Sequence, residues 1–375
     1  MEFRDLKQQY KMLKEDIDQA VIETMTAGTF IGGGPVSLLE KELAEYVNVK
    51  HCISCANGTD ALSLVLQAWD IGSGDAVFVP DFTFFATAEV VSYCGATPIF
   101  VDVEKSTFNI DTGDLETAIE EVKQEGKLKP KAIIPVDLFG LPADYSKIDK
   151  IAKEHNLLVL ADSAQGFGGA IGDQKACSFG DAAITSFFPA KPLGCYGDGG
   201  AIFTNDDGLA EVLNSLKVHG KGSYKYDNVR IGVNSRLDTI QAAILRVKFK
   251  AFKDYELDAV NRAADKYREL LDEYFITPQI PEGYFSSYAQ FTLILDSDEQ
   301  RDIIQNYLKE KDIPTMIYYP IPLSEQKAFA YLGEEIRRTK NTPELCQTVL
   351  SIPMHPYLTD EQIEMVANSL LEAKN

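Results

Sequence analysis

Lys191 stands in Ser186-Phe187-Phe188-Pro189-Ala190-Lys191-Pro192-Leu193-Gly194, between two prolines and just past an apolar run. A lysine desolvated in such a setting can act as nucleophile or base near neutral pH. Asp162 closes a second apolar run and opens Asp162-Ser163-Ala164-Gln165. A carboxylate there is costly to bury unless a cation answers it, and a protonated ring nitrogen would serve. Gly58 and Thr59 lie in Ala56-Asn57-Gly58-Thr59-Asp60, ahead of an apolar helical pattern. Gly58 would let backbone approach closely, Thr59 can cap the helix, and the free N–H groups of a helix N-terminus suit a phosphate. No Gly-Lys-Ser/Thr ending follows, so this is not a Walker motif. Past Pro80 comes Asp81-Phe82-Thr83-Phe84-Phe85-Ala86-Thr87, where an aromatic can stack on a flat heterocycle.

Each feature also has a plain reading: a capped turn, a core phenylalanine, a capping aspartate, a surface lysine. Together they make one constellation of phosphate cradle, aromatic plate, acid for a ring nitrogen, and amine. Pyridoxal phosphate needs that set. Its aldehyde forms a Schiff base with a lysine, and its ring drains electrons toward a nitrogen that an aspartate keeps protonated.

These residues can meet only if several strands end at one edge. Short apolar runs occupy 51–55, 76–80, 98–103, 132–136, 157–161, 182–188 and 201–204. They are rich in Val, Ile and Phe, as strands buried on both faces are. Helical patterns such as 60–69, 115–124 and 145–155 lie between them. Strand–helix alternation predicts an α/β fold with a mainly parallel sheet, and ligands of such sheets gather at the carboxyl ends of the strands. The glycines of Gly194-Cys195-Tyr196-Gly197-Asp198-Gly199-Gly200 lead into a strand rather than opening a helix, so they are no dinucleotide fingerprint. Residues 239–271 form a long helical pattern, followed by a turn-rich stretch, a strand at 289–295, a helix at 297–311, a Pro- and Tyr-rich segment at 314–322 and two closing helical patterns. The expected division is a large domain over 1–250 and a smaller α+β domain over 251–375, with the helical first 30 residues on either.

The chain has 375 residues, 45% hydrophobic and 25% charged, which are ordinary globular values. Its 36 basic and 57 acidic residues give a net charge of −21, which makes nucleic acid a poor partner. The first residues are charged where a signal peptide needs an apolar core, and no apolar run approaches the roughly 18 residues of a membrane span. A cytoplasmic protein is expected. Of six cysteines only Cys52 and Cys55 form a CxxC pair, without the further ligands zinc requires, so no metal is expected and buried free thiols are.

On the motifs Ala56-Asn57-Gly58-Thr59, Asp162-Ser163-Ala164-Gln165, Ser186 through Gly194 and Asn234-Ser235-Arg236-Leu237-Asp238, the sequence resembles the sugar aminotransferases of the DegT/DnrJ/StrS group. The likeness runs from Phe3-Arg4-Asp5-Leu6 to Met354-His355-Pro356-Tyr357. It implies the fold type I architecture of aspartate aminotransferase, with a seven-stranded mainly parallel sheet. Within the group the chain is most similar to enzymes that aminate C3 of a UDP-linked 2-acetamido-3-keto-hexuronic acid. The run Pro192 through Ala201 and Tyr319-Pro320-Ile321-Pro322-Leu323 carry that match.

The resemblance implies that Lys191 holds pyridoxal 5'-phosphate as a Schiff base. Asp162 would pair with the ring nitrogen, Gln165 would meet the ring hydroxyl, and Phe84 would stack on the ring. Gly58, Thr59 and Ser186 would hold the phosphate. Asn234 would reach the phosphate, and Arg236 the substrate carboxylate, of the neighbouring subunit, so a homodimer with shared sites is implied. Tyr318 and Tyr319 would face the sugar. Relatives carry a His-Tyr pair there, and tyrosine donates hydrogen bonds but brings no positive charge.

The activity implied is a two-stage transfer from L-glutamate, through a pyridoxamine form, to a nucleotide-linked keto-sugar. By analogy its product feeds surface polysaccharide assembly. A dehydratase of the same group would carry histidine in place of Lys191, and a non-catalytic regulator would not need the Lys191/Asp162 pair.

Overall fold

The computed structural model describes residues 1–224, 226–333 and 336–374. Two helices, α1 (Leu6–Ala27) and α2 (Gly34–Val47), lead into β1 (His51–Cys55). Strand and helix then alternate as α3 (Gly58–Ala68), β2 (Asp75–Pro80), α4 (Ala86–Tyr93), β3 (Thr97–Val101), α5 (Thr112–Glu125), β4 (Lys129–Ile133), α6 (Tyr145–His155) and β5 (Leu158–Asp162). After the short strands β6 (Ala170–Ile171) and β7 (Gln174–Lys175) come β8 (Ala182–Ser186), β9 (Gly200–Thr204) and α7 (Asp207–Leu216).

One seven-stranded sheet orders these strands β1-β9-β8-β5-β4-β2-β3. Its pairs from β8 to β3 are parallel, and β9 runs antiparallel to β1 and β8. All seven apolar runs read from the sequence are in it, with shifted ends. The fourth strand is Lys129–Ile133 rather than 132–136, and Val136 makes only an isolated bridge to Asp162. The sixth stops at Ser186, because Phe188 already belongs to the turn that carries Lys191.

Alternation along each strand sends side chains to opposite faces. Phe78 packs with Ile133, Phe203 and Phe249 on one face, while its neighbours Val77 and Val79 pack with Leu160, Ile184 and Ile202 on the other. Each such fully buried side chain contributes roughly 1.5–3 kcal/mol.

A continuous helix follows, formed by α8 (Thr239–Ala251), a π turn (Phe252–Glu256) and α9 (Leu257–Leu271). The π turn points Phe252 at Gly168, where a Cβ would sit 2.6 Å from its ring, and buries Glu256. The remaining elements are β10 (Tyr284–Phe285), β11 (Phe291–Ile294), α10 (Asp298–Glu310), α11 (Asn341–Thr348), β12 (Val349–Ile352) and α12 (Asp360–Lys374). β10 joins β6 and β7 in a small sheet, and β11 pairs antiparallel with β12. A separate core of Val260, Tyr267, Leu293, Ile304, Leu350 and Val366 closes this smaller domain, and Met1 packs against it.

Among the described residues no helix is long and apolar enough to cross a membrane, and no group of His, Cys, Asp and Glu is placed to hold a metal ion. The six cysteines are free thiols, five of them buried and Cys94 half-buried.

Candidate active site

Asp162 ends β5 and is 5% exposed. Its Oδ2 accepts the hydroxyl of Thr87 at 2.9 Å, and its Oδ1 the amide of Ala164 at 3.2 Å. Burial pushes its carboxyl upward, while those two donors and the charge of Lys191 pull it back. Asp137 lies beside it, fully buried, and its amide donates to Asp162 O at 3.0 Å. Asp137 accepts from Tyr145 Oη at 2.8 Å, from Ala143 N at 3.0 Å and from Ser163 Oγ, yet burial still raises it to about 6.

Lys191 follows β8 in a turn closed by its own amide, which donates to Phe188 O at 2.9 Å. The turn is tight enough that a Cβ on Gly194 would lie 2.6 Å from the carbonyls of Phe188 and Pro189. Part of the Lys191 side chain reaches the surface of the cleft, but protein surrounds its ammonium. Burial lowers that ammonium to about 8; Asp162 opposes the shift and Arg4 adds to it. A deprotonated amine therefore becomes accessible near neutral pH.

Gly58 opens α3 against the end of β8. A Cβ there would sit 2.9 Å from Ser186 Cβ, so only glycine keeps this space open. A Cβ on Gly200 would sit 2.5 Å from the Asn57 carbonyl, so β9 also needs glycine where it passes. The cap of α3 is not Thr59. Asn57 takes that place in extended backbone and accepts the amide of Asp60 at 2.7 Å, the geometry an N-cap requires. Thr59 is one residue inside the helix. Ser186 Oγ accepts the amide of Phe188 at 3.2 Å. Ser235 Oγ accepts the amide of Ala56 at 3.0 Å, which fastens the 234–236 segment beside the cradle.

Phe84 is 57% exposed, so it is not the core phenylalanine that Phe82 is. Gln165 accepts the amide of Phe139 at 2.9 Å and donates to Tyr319 Oη at 2.9 Å. Tyr318 packs edge-on against Phe3, with ring centroids 6.4 Å apart. Asn234 is exposed and Arg236 half-buried on the segment that Ser235 anchors. The strand ends thus gather Lys191, Asp162, Gln165, Tyr319, Gly58 and Ser186, while Asn234 and Arg236 stand at the rim.

Several contributors were not read from the sequence. Thr87 lies in a motif read only for its aromatics. Asp81 is fully buried and accepts Ser324 N at 2.7 Å, Ser324 Oγ at 2.9 Å and Thr339 Oγ1 at 2.6 Å, which pins the segment after Tyr319 to β2. Arg4, Gln9, Glu256, His355 and Tyr357 line one cavity with Lys191. Lys248, 1% exposed, lies over the ring of Tyr196 nearby at 4.6 Å.

The site fits pyridoxal phosphate on its own geometry. The cradle at Gly58 is one that a Cβ would fill, the carboxylate of Asp162 is buried without an ion pair among the described residues, and the amine stands near them. Fold and site together define a pyridoxal-phosphate-dependent transferase of the aspartate-aminotransferase architecture. Residues 11–371 match the model of the DegT/DnrJ/EryC1/StrS aminotransferase family, and the chain belongs to that family. It is 43% identical over 371 residues, covering 99% of each chain, to a UDP-2-acetamido-2-deoxy-3-oxo-D-glucuronate aminotransferase of Pseudomonas aeruginosa. It is 41% identical, over 97% of this chain and 95% of the other, to a UDP-N-acetyl-3-dehydro-alpha-D-glucosamine 3-aminotransferase of Acidithiobacillus ferrooxidans. A crystal structure of a DegT/DnrJ/EryC1/StrS aminotransferase from Brucella abortus superposes with a TM-score of 0.95 at 45% identity, covering 99% of both chains. The chain is accordingly an aminotransferase that works with pyridoxal phosphate.

Proposed function

We propose that this enzyme moves an amino group from L-glutamate to C3 of a UDP-linked 2-acetamido-3-keto-hexuronic acid. The observation that carries the reading is Lys191, its ammonium lowered to about 8 beside the buried carboxylate of Asp162, in a chain so similar to an enzyme named for that keto-sugar. Pyridoxal phosphate, when bound, supplies the aldehyde that takes the amine and an electron sink for the proton transfers. Asp162 would hold a proton at the ring nitrogen, and Thr87 fixes the carboxylate that would do so. Phe84 would cover one face of the ring, and Gln165, bonded to Phe139 and Tyr319, would meet the ring hydroxyl. Gly58, Thr59 and Ser186 would hold the phosphate. Nζ of Lys191 removes the proton from Cα of the donor and later moves a proton at the carbon of the sugar that receives nitrogen.

We assign the working form to a homodimer in the cytoplasm. The exposed apolar side chains of Phe30, Ile31 and Ile231 suit a subunit interface near Asn234 and Arg236, which would complete the partner's site. The free thiols suit a reducing compartment.

The test is an absorbance titration of cofactor-loaded protein. L-glutamate should abolish the visible band and release 2-oxoglutarate, and the UDP-3-keto-hexuronate should restore the band. A spectrum indifferent to glutamate overturns the donor, and failure of every UDP-3-keto sugar to restore it overturns the acceptor.

A further inference from the structure

Arg4 lies in a bend just before α1, tied to the chain's other end. Met354 N donates to Phe3 O at 3.4 Å, and Arg4 Nη1 donates to Met354 O at 3.3 Å. Among the described residues the guanidinium forms no ion pair. The carboxylate that faces it, Glu256, stands beyond ion-pair distance, and its Oε1 accepts Gln9 Nε2 at 2.9 Å and the hydroxyl of Tyr357. Arg4 lines the same cavity as Lys191, and Tyr318 is its other electrostatic neighbour, held there by Phe3. Burial lowers the guanidinium to about 10. A desolvated cation whose facing carboxylate makes no direct ion pair gains when a second anion arrives from outside, and the planar fork of arginine matches a carboxylate.

We infer that Arg4, with Tyr318 beside it, binds the carboxylate of the sugar substrate, in addition to the Arg236 that the resemblance places there, and so favours a hexuronate over the neutral sugar. This rests on the keto-sugar reading above and names the residue that sets its specificity. The pair Tyr318-Tyr319 brings no charge where relatives carry His-Tyr, and Arg4 adds a charge from the other end of the chain. The relatives named above act on both kinds of sugar, one a glucuronate and one an uncharged glucosamine.

The experiment compares ligands that differ only at C6. Cofactor-loaded enzyme is titrated calorimetrically with UDP-N-acetylglucosaminuronic acid and with UDP-N-acetylglucosamine. The wild type should prefer the acid by about tenfold to a hundredfold, the size of a charge-assisted contact. Arg4→Gln should lower the preference about tenfold without weakening the neutral ligand, and Arg4→Lys should restore part of it. Adding Tyr318→His to Arg4→Gln should also restore it, which a merely structural role for Arg4 does not explain. No preference in the wild type, or equal loss of both ligands in Arg4→Gln, overturns the assignment. A wild type that prefers the acid yet turns over no keto-sugar overturns the proposed reaction instead and leaves Arg4 assigned.

Discussion

Thr87 Oγ1 donates to Asp162 Oδ2 at 2.9 Å, so the first turn of α4 fixes the carboxylate that ends β5. The hydroxyl favours the ionised carboxylate, against the burial that disfavours it. Thr87→Val keeps the shape and removes the donor. It is expected to lower kcat roughly tenfold, the value of one hydrogen bond to a charged group. Asp162→Asn, which removes the charge itself, is expected to cost roughly 10²–10³-fold. Single-turnover rates of the glutamate half-reaction measure both, and a Thr87→Val enzyme as fast as wild type would reject this role.

Gly58 and Ser186 make the second relationship that can be broken cleanly. A Cβ on Gly58 meets Ser186 Cβ at 2.9 Å, closer than side chains pack. Gly58→Ala is expected to weaken cofactor binding about tenfold, read as the Kd from absorbance titration of apoprotein. Ser186→Gly removes the Cβ it meets. The double variant should therefore bind better than additive losses predict. Strict additivity would show that the two residues do not share a cradle.

The strands and the residues just past them were legible because their signals are local. An apolar run of strand length marks an element, and the Asp162 or Lys191 that ends it falls at the binding edge by topology. Asn57 could have been read as the cap of α3, since asparagine caps as well as threonine and the aligned hydrogen bond decides between neighbours. Arg4 was visible only as part of a motif. Nothing local says that Phe3 reaches Tyr318 or that Glu256 bonds to Gln9, because those contacts join the chain's beginning to its last third. Asp81 and Thr87 were hidden the same way, as polar residues in an aromatic-rich stretch whose partners lie far along the chain.

His355 gives a stability prediction. It is buried, its Nε2 has no hydrogen-bond partner among the described residues, and burial together with the Arg4 charge lowers it to about 4. Asp5 and Glu2 face it and oppose the shift. The folded state thus binds this proton more weakly than the unfolded chain. The stability it contributes is whole above about pH 6.5 and is lost as pH falls toward 4, by roughly 3 kcal/mol. In His355→Leu the fall in unfolding free energy between pH 7 and pH 4.5 should shrink by roughly 2–3 kcal/mol. An unchanged slope would place the acid sensitivity elsewhere.

Lys191 gives a pH prediction with a sign for each neighbour. Burial lowers its ammonium from 10.5 to about 8, Asp162 raises it and Arg4 lowers it further. The neutral amine is the nucleophile, so capture of pyridoxal phosphate by apoprotein should accelerate as pH rises through about 8 and level off above it. Arg4→Gln removes a repelling charge, stabilises the ammonium and should move the midpoint to higher pH. Asp162→Asn removes an attracting charge and should move it lower. The cofactor titrates identically in every variant, so only differences between midpoints count, and stopped-flow absorbance from pH 6.5 to 10 measures them. Shifts in opposite directions tie Lys191 to both neighbours through charge. Shifts in the same direction would mean that the substitutions act through packing, and Lys191 would then owe its lowered ammonium to burial alone.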